Sequence, residues 1–292
     1  MNENTNAIEI NGLTKEYDGF TLDNVSFNVA RGSIMGFIGQ NGAGKTTTIR
    51  ALLGIIKRSG GTISLLGKDL DTHETEIKQD IAAVFDETPF HESFTPVTVE
   101  KVMKHLYKEW DSEVYHGMLK KFGLPEKKKI GKFSKGMKMK HQIAAAMSHH
   151  AKLLIMDEAT TGLDPVVRNE ILDIFLGYLQ DADNSILLSS HITSDLEKIA
   201  DSLTFIDNGR ILLTGYKDDI LLSHGIMKCT KEQYAEVAAE DIVSARVTDF
   251  SAEILVSDRE ACERKYSGIL FDNASLDDIM QYYVHRSERV WT

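Results

Sequence analysis

A single glycine-rich loop constrains this fold more than any other feature. The loop fits the pattern G-x-x-x-x-G-K-[ST] at every fixed position. It consists of Gly39, Gln40, Asn41, Gly42, Ala43, Gly44, Lys45 and Thr46, with Thr47 directly after it. An apolar strand over residues 33–38 precedes the loop, and a helix is predicted to start near Lys45. This strand–loop–helix context favours a phosphate-binding loop over a chance glycine-rich turn.

The residue types of this loop suit phosphate chemistry. Glycines let the backbone curl so that its N–H groups point at phosphate oxygens. The start of the following helix adds the positive end of its dipole. We therefore expect Lys45 to reach the β- and γ-phosphates of a nucleotide and the Thr46 hydroxyl to bind Mg²⁺.

Two carboxylates follow a second apolar strand. The run Leu153–Met156 leads directly into Asp157 and Glu158, at the sheet edge where ligands of open α/β folds bind. Asp157 is predicted to hold Mg²⁺, and Glu158 to polarise the attacking water. Taken alone, the pattern is better explained by a strand followed by solvated acids. Together with the phosphate loop, it favours the catalytic interpretation.

A histidine ends a third apolar run. His191 follows the predicted strand Ile186–Ser190. A lone histidine in this position is usually structural. Parallel strands would bring it to the same edge as Asp157, where it could contact the γ-phosphate and respond to hydrolysis.

The order of elements predicts an α/β fold. Short apolar strands alternate with helices, which indicates a parallel sheet with helices on its faces. A helical insertion interrupts this sheet at about residues 88–147, with helices at Val99–Glu109 and Ser112–Phe122. We expect one domain over residues 1–215 and a smaller α/β annex over residues 216–292. The annex is predicted to contain helices after Thr230 and Ser275 and strands at Ala245–Val256 and Ser267–Phe271.

Composition narrows the function classes. The formal charge is −11, from 33 basic and 44 acidic residues, which argues against nucleic acid as a partner. Cys229 and Cys262 lie outside any C-x-x-C pattern, so reduced thiols in a cytoplasmic protein are expected. No apolar run approaches the ~20 residues of a membrane helix, and the N-terminus does not resemble a signal peptide. A role at a membrane would therefore need a separate partner.

These motifs, in this order, resemble those of the ATP-binding cassette (ABC) family. The resemblance covers roughly residues 8–215 and includes the segment 133–137, Phe-Ser-Lys-Gly-Met. It implies a P-loop NTPase fold with a nucleotide-binding domain of the ABC type, and ATP with Mg²⁺ at its site. It also implies that Ser134 and Gly136, at a helix start, contact the γ-phosphate bound by a second subunit. Lys135 and Met137 depart from the family's Leu-Ser-Gly-Gly-Gln. Lys135 could add positive charge near the phosphate, and we favour the alternative that it is only a solvated side chain.

The resemblance assigns two further binding residues. Tyr17 matches the aromatic residue that stacks on adenine in the family, although a tyrosine in a polar loop is often only a surface residue. Asp164 matches a loop that crosses between subunits and aligns the two sites. Asp164 also suits a simple helix N-cap before Val166, and the two roles are compatible.

One position departs clearly from the family pattern. After the predicted strand Ile81–Phe85 the family usually has glutamine, and this chain has Asp86. The family's glutamine contacts Mg²⁺ and the attacking water. A carboxylate can also ligate Mg²⁺, so we predict Asp86 as a neighbour of Mg²⁺ with altered coupling to the membrane partner.

The resemblance further implies a transport role. A cassette without a membrane span drives a separate transmembrane permease subunit, and it pairs with a second copy of itself or with a paralogous cassette. The expected location is the cytoplasmic face of the cell membrane, as a peripheral subunit. The C-terminal annex is similar to that of exporters of the ABC-2 type, which carry antibiotics or peptides. The alternatives are an importer cassette, a soluble cassette acting on ribosomes or DNA, and a small-molecule kinase or GTPase.

Overall fold

The computed structural model describes residues 6–287 and 290–291. Its strands are β1 Asn6–Tyr17, β2 Phe20–Ala30, β3 Ile34–Ile38, β4 Gly60–Leu65, β5 Lys68–Asp69, β6 Ile81–Phe85, β7 Leu153–Asp157, β8 Ser185–Ser190, β9 Ser202–Asp207, β10 Arg210–Tyr216, β11 Gly225–Thr230, β12 Ser244–Val247, β13 Ser251–Val256, β14 Leu270–Asn273 and β15 Val290–Trp291. Its α-helices are α1 Lys45–Leu52, α2 Leu70–Asp80, α3 Pro96–Leu106, α4 Ser112–Lys121, α5 Lys135–Met147, α6 Pro165–Tyr178, α7 Thr193–Ile199, α8 Lys217–Ser223, α9 Lys231–Tyr234, α10 Arg259–Lys265 and α11 Leu276–Val284. Two short 3₁₀ turns lie at Ile130–Lys132 and His285–Ser287.

A six-stranded sheet forms the centre of the fold. Its strand order is β10-β9-β3-β8-β7-β6. The pairs from β9 to β6 are parallel, and β10 adds an antiparallel edge to β9. Every residue of β3, β7 and β8 is buried, which fits their nearly continuous apolar sequences. Parallel pairing brings the carboxyl ends of these strands to one edge of the sheet, as the sequence predicts.

The central sheet separates two hydrophobic cores. Successive side chains of a strand point to opposite faces. Accordingly, Leu154 and Met156 of β7 pack in one core with the helical insertion and the annex. Leu153 and Ile155 pack in the other, with α1 and the N-terminal strands. The strand ends are therefore fixed from both faces.

A second, antiparallel sheet was not predicted as a separate layer. It has the order β2-β1-β4-β5. Its strands β1 and β2 form a hairpin in which Tyr17 pairs with Phe20. The hairpin ends beside the phosphate loop, because Phe20 lies against Gly44. The polar interruptions in β1 and β2 are typical of strands with one solvated face.

The helical insertion follows β6. Helix α3 begins at Pro96, earlier than predicted, because Thr95 caps it through its hydroxyl, which accepts from the Thr98 N–H at 3.3 Å. Helix α5 is tied to the end of β6 by a buried glutamine. The Gln142 side chain accepts from the Phe85 N–H at 3.3 Å and donates to the Phe85 carbonyl at 3.1 Å.

The annex contains a five-stranded sheet of order β14-β11-β13-β12-β15. Two predictions about it are wrong. The single strand predicted at Ala245–Val256 is two strands, β12 and β13, because Thr248 forms a turn in which its hydroxyl accepts from the Ser251 N–H at 3.1 Å. The helix after Thr230 ends at Tyr234, well short of Ala239. The boundary at residues 215/216 falls at the end of β10, and the division into two domains stays a prediction.

Other differences concern element lengths. Helix α1 ends at Leu52, four residues before the predicted end at Ile56, and helix α2 was not predicted. Both cysteines are free and buried, as expected. In the part of the chain that the structure describes, every helix is too short or too polar to span a membrane.

Candidate functional site

The phosphate loop connects β3 to α1 in the predicted manner. Gly42 and Gly44 adopt positive φ angles of 82° and 117°, which glycine reaches at little cost. A Cβ atom at Gly39 would lie 2.4 Å from the carbonyl oxygen of Ile206. These glycines therefore permit a curl that a larger residue would block. Helix geometry leaves the N–H groups of Lys45, Thr46 and Thr47 without partners inside α1.

Lys45 lies at the centre of the loop. Its side chain is only 5% exposed. The ammonium donates to the carbonyl oxygens of Gly39 at 2.6 Å and of Gln40 at 3.2 Å. It also lies 3.1 Å from Oε1 of Glu158. The structure thus brings together two predicted catalytic residues from different strand ends.

Glu158 is held in a strained and well-connected position. Its φ angle is +56°, a left-handed conformation that is uncommon outside glycine. Its N–H donates to the carbonyl and hydroxyl oxygens of Ser189, each at 3.2 Å. Its Oε2 accepts from the Thr161 hydroxyl at 2.6 Å and from Nδ1 of His191 at 2.7 Å. Hydrogen bonds to both its backbone and its side chain therefore hold Glu158 in this strained conformation.

These contacts also set the charge of Glu158. Burial alone would raise its pKa, but the hydrogen bond from Thr161 and the positive charge of Lys45 outweigh burial, so the pKa of Glu158 lies below its usual value. The carboxylate is therefore ionised at neutral pH. Because an ionised carboxylate only accepts hydrogen bonds, Nδ1 of His191 carries the proton in their contact.

Asp157 lies one residue before Glu158 and is buried. Its Oδ1 accepts from the Ser189 hydroxyl at 2.7 Å. The same serine accepts from the Glu158 N–H, so the end of β8 positions both Asp157 and Glu158. No sequence motif indicates a role for Ser189, because this serine lies inside strand β8, two residues before His191.

An open cleft of about 400 Å³ lies over the phosphate loop. It is lined by Phe20, Gln40, Asn41, Gly42, Gly44, Lys45, Thr46, Thr47 and Glu158. Phe20 was not predicted as a site residue. Tyr17 pairs with Phe20 across the hairpin, and its ring lies 5.1 Å from the ammonium of Lys15. The two aromatic residues are therefore neighbours at the tip of the hairpin, and of the two only Phe20 lines the cleft.

The start of α5, which is predicted to contact the γ-phosphate bound by a second subunit, also has a structural role. Ser134 caps α5, since its hydroxyl accepts from the Met137 N–H at 3.2 Å. Ser134 is exposed, and Gly136 is half-buried against Val167. Among the described residues, neither lines the cleft over the phosphate loop. Asp164 likewise caps α6 by accepting from the N–H groups of Val166 and Val167, both at 3.1 Å.

Asp86 and Lys135, which both depart from the family pattern, are partners. Oδ1 of Asp86 lies 2.5 Å from Nζ of Lys135. The interpretation of Lys135 as merely solvated is therefore wrong, because its ammonium forms an ion pair across two elements. The pair borders a separate cleft of about 490 Å³ lined by Glu87, Thr88, Phe90 and Lys138, among others.

Comparisons with known proteins agree with this geometry. The ABC transporter family matches residues 22–161. The chain is 34% identical over 237 residues to the bacitracin transport ATP-binding protein BcrA of Bacillus licheniformis, covering 80% of this chain and 75% of that protein. It is 32% identical over 209 residues to the lantibiotic transport ATP-binding protein SrtF of Streptococcus pyogenes, covering 70% of this chain and 89% of that protein.

Solved structures of ATP-binding cassettes from ABC transporters also resemble this chain. The ATP-binding subunit of an ABC transporter superimposes with a TM-score of 0.67 at 30% identity, covering 73% of this chain and 91% of the other. A nucleotide-free ATP-binding cassette of an ABC transporter superimposes with a TM-score of 0.62 at 23% identity, which supports the fold alone. The predicted P-loop NTPase fold with its ABC-type cassette is confirmed. The chain therefore belongs to the ATP-binding, ATP-hydrolysing subunits of the ABC transporter family.

Proposed function

We propose that this chain powers a separate transmembrane exporter subunit by pairing two cassettes around ATP. The observation that carries the proposal is the contact of Lys45 with Glu158 at the phosphate loop. The contact supports the proposal because Lys45, which would bind phosphate, and Glu158, the proposed catalytic base, line one cleft over the phosphate loop. The exposed start of α5, which lies outside that cleft, would then serve the site of a second cassette.

In this proposal, each nucleotide takes its first contacts from one chain. The N–H groups at the start of α1 and the Lys45 ammonium bind the phosphates. The ammonium exchanges Glu158 for phosphate oxygens, which frees the carboxylate to accept a proton from water. His191 would hold the Glu158 carboxylate through its Nδ1 hydrogen bond. Hydrogen-bond geometry and charge support these roles of Lys45, Glu158 and His191.

The site fits Mg²⁺. The Thr46 hydroxyl and the Asp157 carboxylate are oxygen donors, which this hard cation prefers. Among the described residues no three acidic, histidine or cysteine side chains converge as a metal site. Mg²⁺ would bind here together with the nucleotide phosphates, whose charge it neutralises. We propose Asp86 as a neighbour of this ion. Mg²⁺ would then compete with the Lys135 ammonium for the Asp86 carboxylate.

The second half of each site would come from a second cassette. Ser134 and Gly136 sit at an exposed helix start with no acidic residue in its first turn, an arrangement that favours an anion. Asp164 lies on the exposed loop before α6 and would align the two chains. The second cassette is either a copy of this chain or a paralogue.

A permease partner and an export role are proposed by analogy with the relatives. BcrA and SrtF are named for bacitracin and lantibiotic transport, and the daunorubicin/doxorubicin resistance protein DrrA of Streptomyces peucetius is 32% identical over 231 residues. Helix α3 offers Val102 and Leu106, which are 43% and 58% exposed, for contact with a membrane subunit. Such contact would hold the chain at the cytoplasmic face of the membrane.

The transport role is tested by purifying the tagged chain from detergent-solubilised membranes of its native cells. We expect one polypeptide with several membrane-spanning helices to elute in stoichiometric amounts. The Val102→Lys/Leu106→Lys variant should release that polypeptide and keep ATP binding. Recovery of the wild-type chain only from the soluble fraction, alone or with ribosomes, would contradict the exporter role and favour a soluble cassette.

A further inference from the structure

Three segments of the chain meet at the ammonium of Lys135. Lys135 is the first residue of α5, and its Nζ lies 2.5 Å from Oδ1 of Asp86, which follows β6. A Cβ atom placed at Gly162, in the loop after β7, would lie 3.1 Å from the same ammonium. The side chain of the first residue of α5 therefore lies beside both the end of β6 and the loop after β7.

The loop after β7 connects this meeting point to the proposed catalytic base. Gly162 follows Thr161, whose hydroxyl donates to Oε2 of Glu158 at 2.6 Å. The strands align in the same way, since Phe85 of β6 is the parallel partner of Asp157. Asp86 and Glu158, each the next residue along, therefore leave the sheet about one strand spacing apart, roughly 5 Å.

Helix α5 is held to β6 at two points of different character. The buried side chain of Gln142 grips the backbone of Phe85 through two neutral hydrogen bonds. The Lys135–Asp86 pair, two helical turns earlier on α5, is charged, and its side chains are 44% and 43% exposed. The first contact anchors the helix, and the second fixes the direction of its N-terminal end. An exposed pair of this kind is weak and sensitive to salt.

We propose that Asp86 and Lys135 act as one unit, an ion-pair latch that positions the start of α5 and the loop bearing Thr161 for ATP hydrolysis. Lys135 is thus a positioning residue, and the two departures from the family pattern are explained together. This inference rests on the proposed role of Glu158 in hydrolysis. The ion-pair latch and a Mg²⁺ role for Asp86 predict different results. Replacing Lys135 breaks the latch, but it removes no Mg²⁺ ligand, because a lysine cannot bind Mg²⁺.

Steady-state ATP hydrolysis by the purified chain tests the latch with Asp86→Asn, Lys135→Gln, the double variant and the exchanged pair Asp86→Lys/Lys135→Asp. Either single change breaks the same contact. We therefore expect each to lower kcat by about two- to fivefold, with KM for ATP changed by less than twofold. The double variant should match the single variants, and the exchanged pair should recover activity. The difference from wild type should shrink in 1 M NaCl, where the Debye length falls to about 3 Å.

Lys138→Gln is the matched control, since Lys138 lies on the same helix and lines the same cleft. It should hydrolyse ATP at the wild-type rate, and all variants should melt within a few degrees of wild type. The latch is overturned if only Asp86→Asn loses activity, if the two losses multiply in the double variant, or if the single changes shift KM in opposite directions. If Glu158→Gln still hydrolyses ATP normally, the proposed catalytic role fails instead, whatever the latch variants do.

Discussion

The ammonium of Lys45 lies 3.1 Å from Oε1 of Glu158, within a site where both side chains are largely buried. A buried charge needs a partner, and each of these two residues supplies one for the other. Nucleotide phosphates would replace Glu158 as the partner of the Lys45 ammonium and so release the Glu158 carboxylate. The pair thus links phosphate binding to the availability of the proposed base.

Replacing Lys45 by methionine tests this link. The variant keeps the buried stem and removes the charge, so we expect ATP binding to weaken on the order of 10- to 100-fold, the range of a hydrogen bond to a charged group. Titration with a fluorescent ATP analogue measures the affinity. The variant should also raise the pKa of Glu158, because Lys45 contributes to lowering it. Lys57→Met, an exposed lysine beyond α1, is the control and should bind as wild type.

His191 is expected to act through Glu158. Its Nδ1 donates to Oε2 of Glu158 at 2.7 Å, and losing one hydrogen bond to a charged group predicts a decrease in kcat of about tenfold or more for His191→Ala. KM for ATP should change little, since the phosphate contacts remain. Equal losses in binding and turnover would show that His191 binds the nucleotide directly. Steady-state kinetics over a range of ATP concentrations separates the two outcomes.

Tyr17 and Phe20 compete for the role of adenine platform. Sequence resemblance favours Tyr17, whereas Phe20 lines the cleft in the structure. Because stacking on a base contributes about 1–3 kcal/mol in nucleic-acid complexes, we expect Phe20→Ala to weaken ATP binding by fivefold or more. Tyr17→Ala gives the matched comparison. A loss confined to Tyr17→Ala would restore the assignment made from the sequence.

A buried histidine predicts how stability depends on pH. Burial lowers the pKa of His141 in α5 to about 4, while an unfolded histidine titrates near 6.5. The unfolded chain therefore binds an extra proton between these values, and the free energy of unfolding falls as the pH drops from about 6.5 to about 4. Between pH 7.5 and pH 5 the loss is on the order of 2 kcal/mol.

Urea unfolding of wild type and His141→Gln at several pH values measures this loss. The glutamine can keep a polar contact with the Tyr115 hydroxyl, which lies 2.7 Å from Nε2 of His141. The variant should show a smaller fall in stability between pH 7.5 and pH 5. Some dependence should persist, because burial also lowers the pKa of His149 and His224. Identical slopes for the two proteins would contradict the assignment.

Local patterns predicted the residues whose positions follow from strand order. Asp157 and Glu158 lie at the end of β7, and His191 directly follows β8, so one rule about the ends of parallel strands places all three at one edge. The phosphate loop is similarly local, since its glycines and its helix start lie within eight residues. These parts of the site needed no knowledge of distant contacts.

Non-local contacts account for what the sequence did not predict. Phe20 reaches the cleft through the register of the β1–β2 hairpin, which no motif encodes. Lys135 looked like a surface lysine because its partner, Asp86, lies on another element. The division of the predicted strand at Thr248 depends on a side-chain turn, a chemistry that competes with strand pairing.

The most direct test of the account is the mass of Glu158→Gln in solution, measured by light scattering with and without Mg²⁺ and ATP. Glutamine keeps the size and the acceptor oxygen of Glu158 but lacks a base, so ATP should bind and remain intact. If two cassettes share two nucleotides through Lys45 of one chain and Ser134 of the other, the protein should change from monomer to dimer when ATP is added. A monomer with ATP demonstrably bound would contradict pairing between copies of this chain.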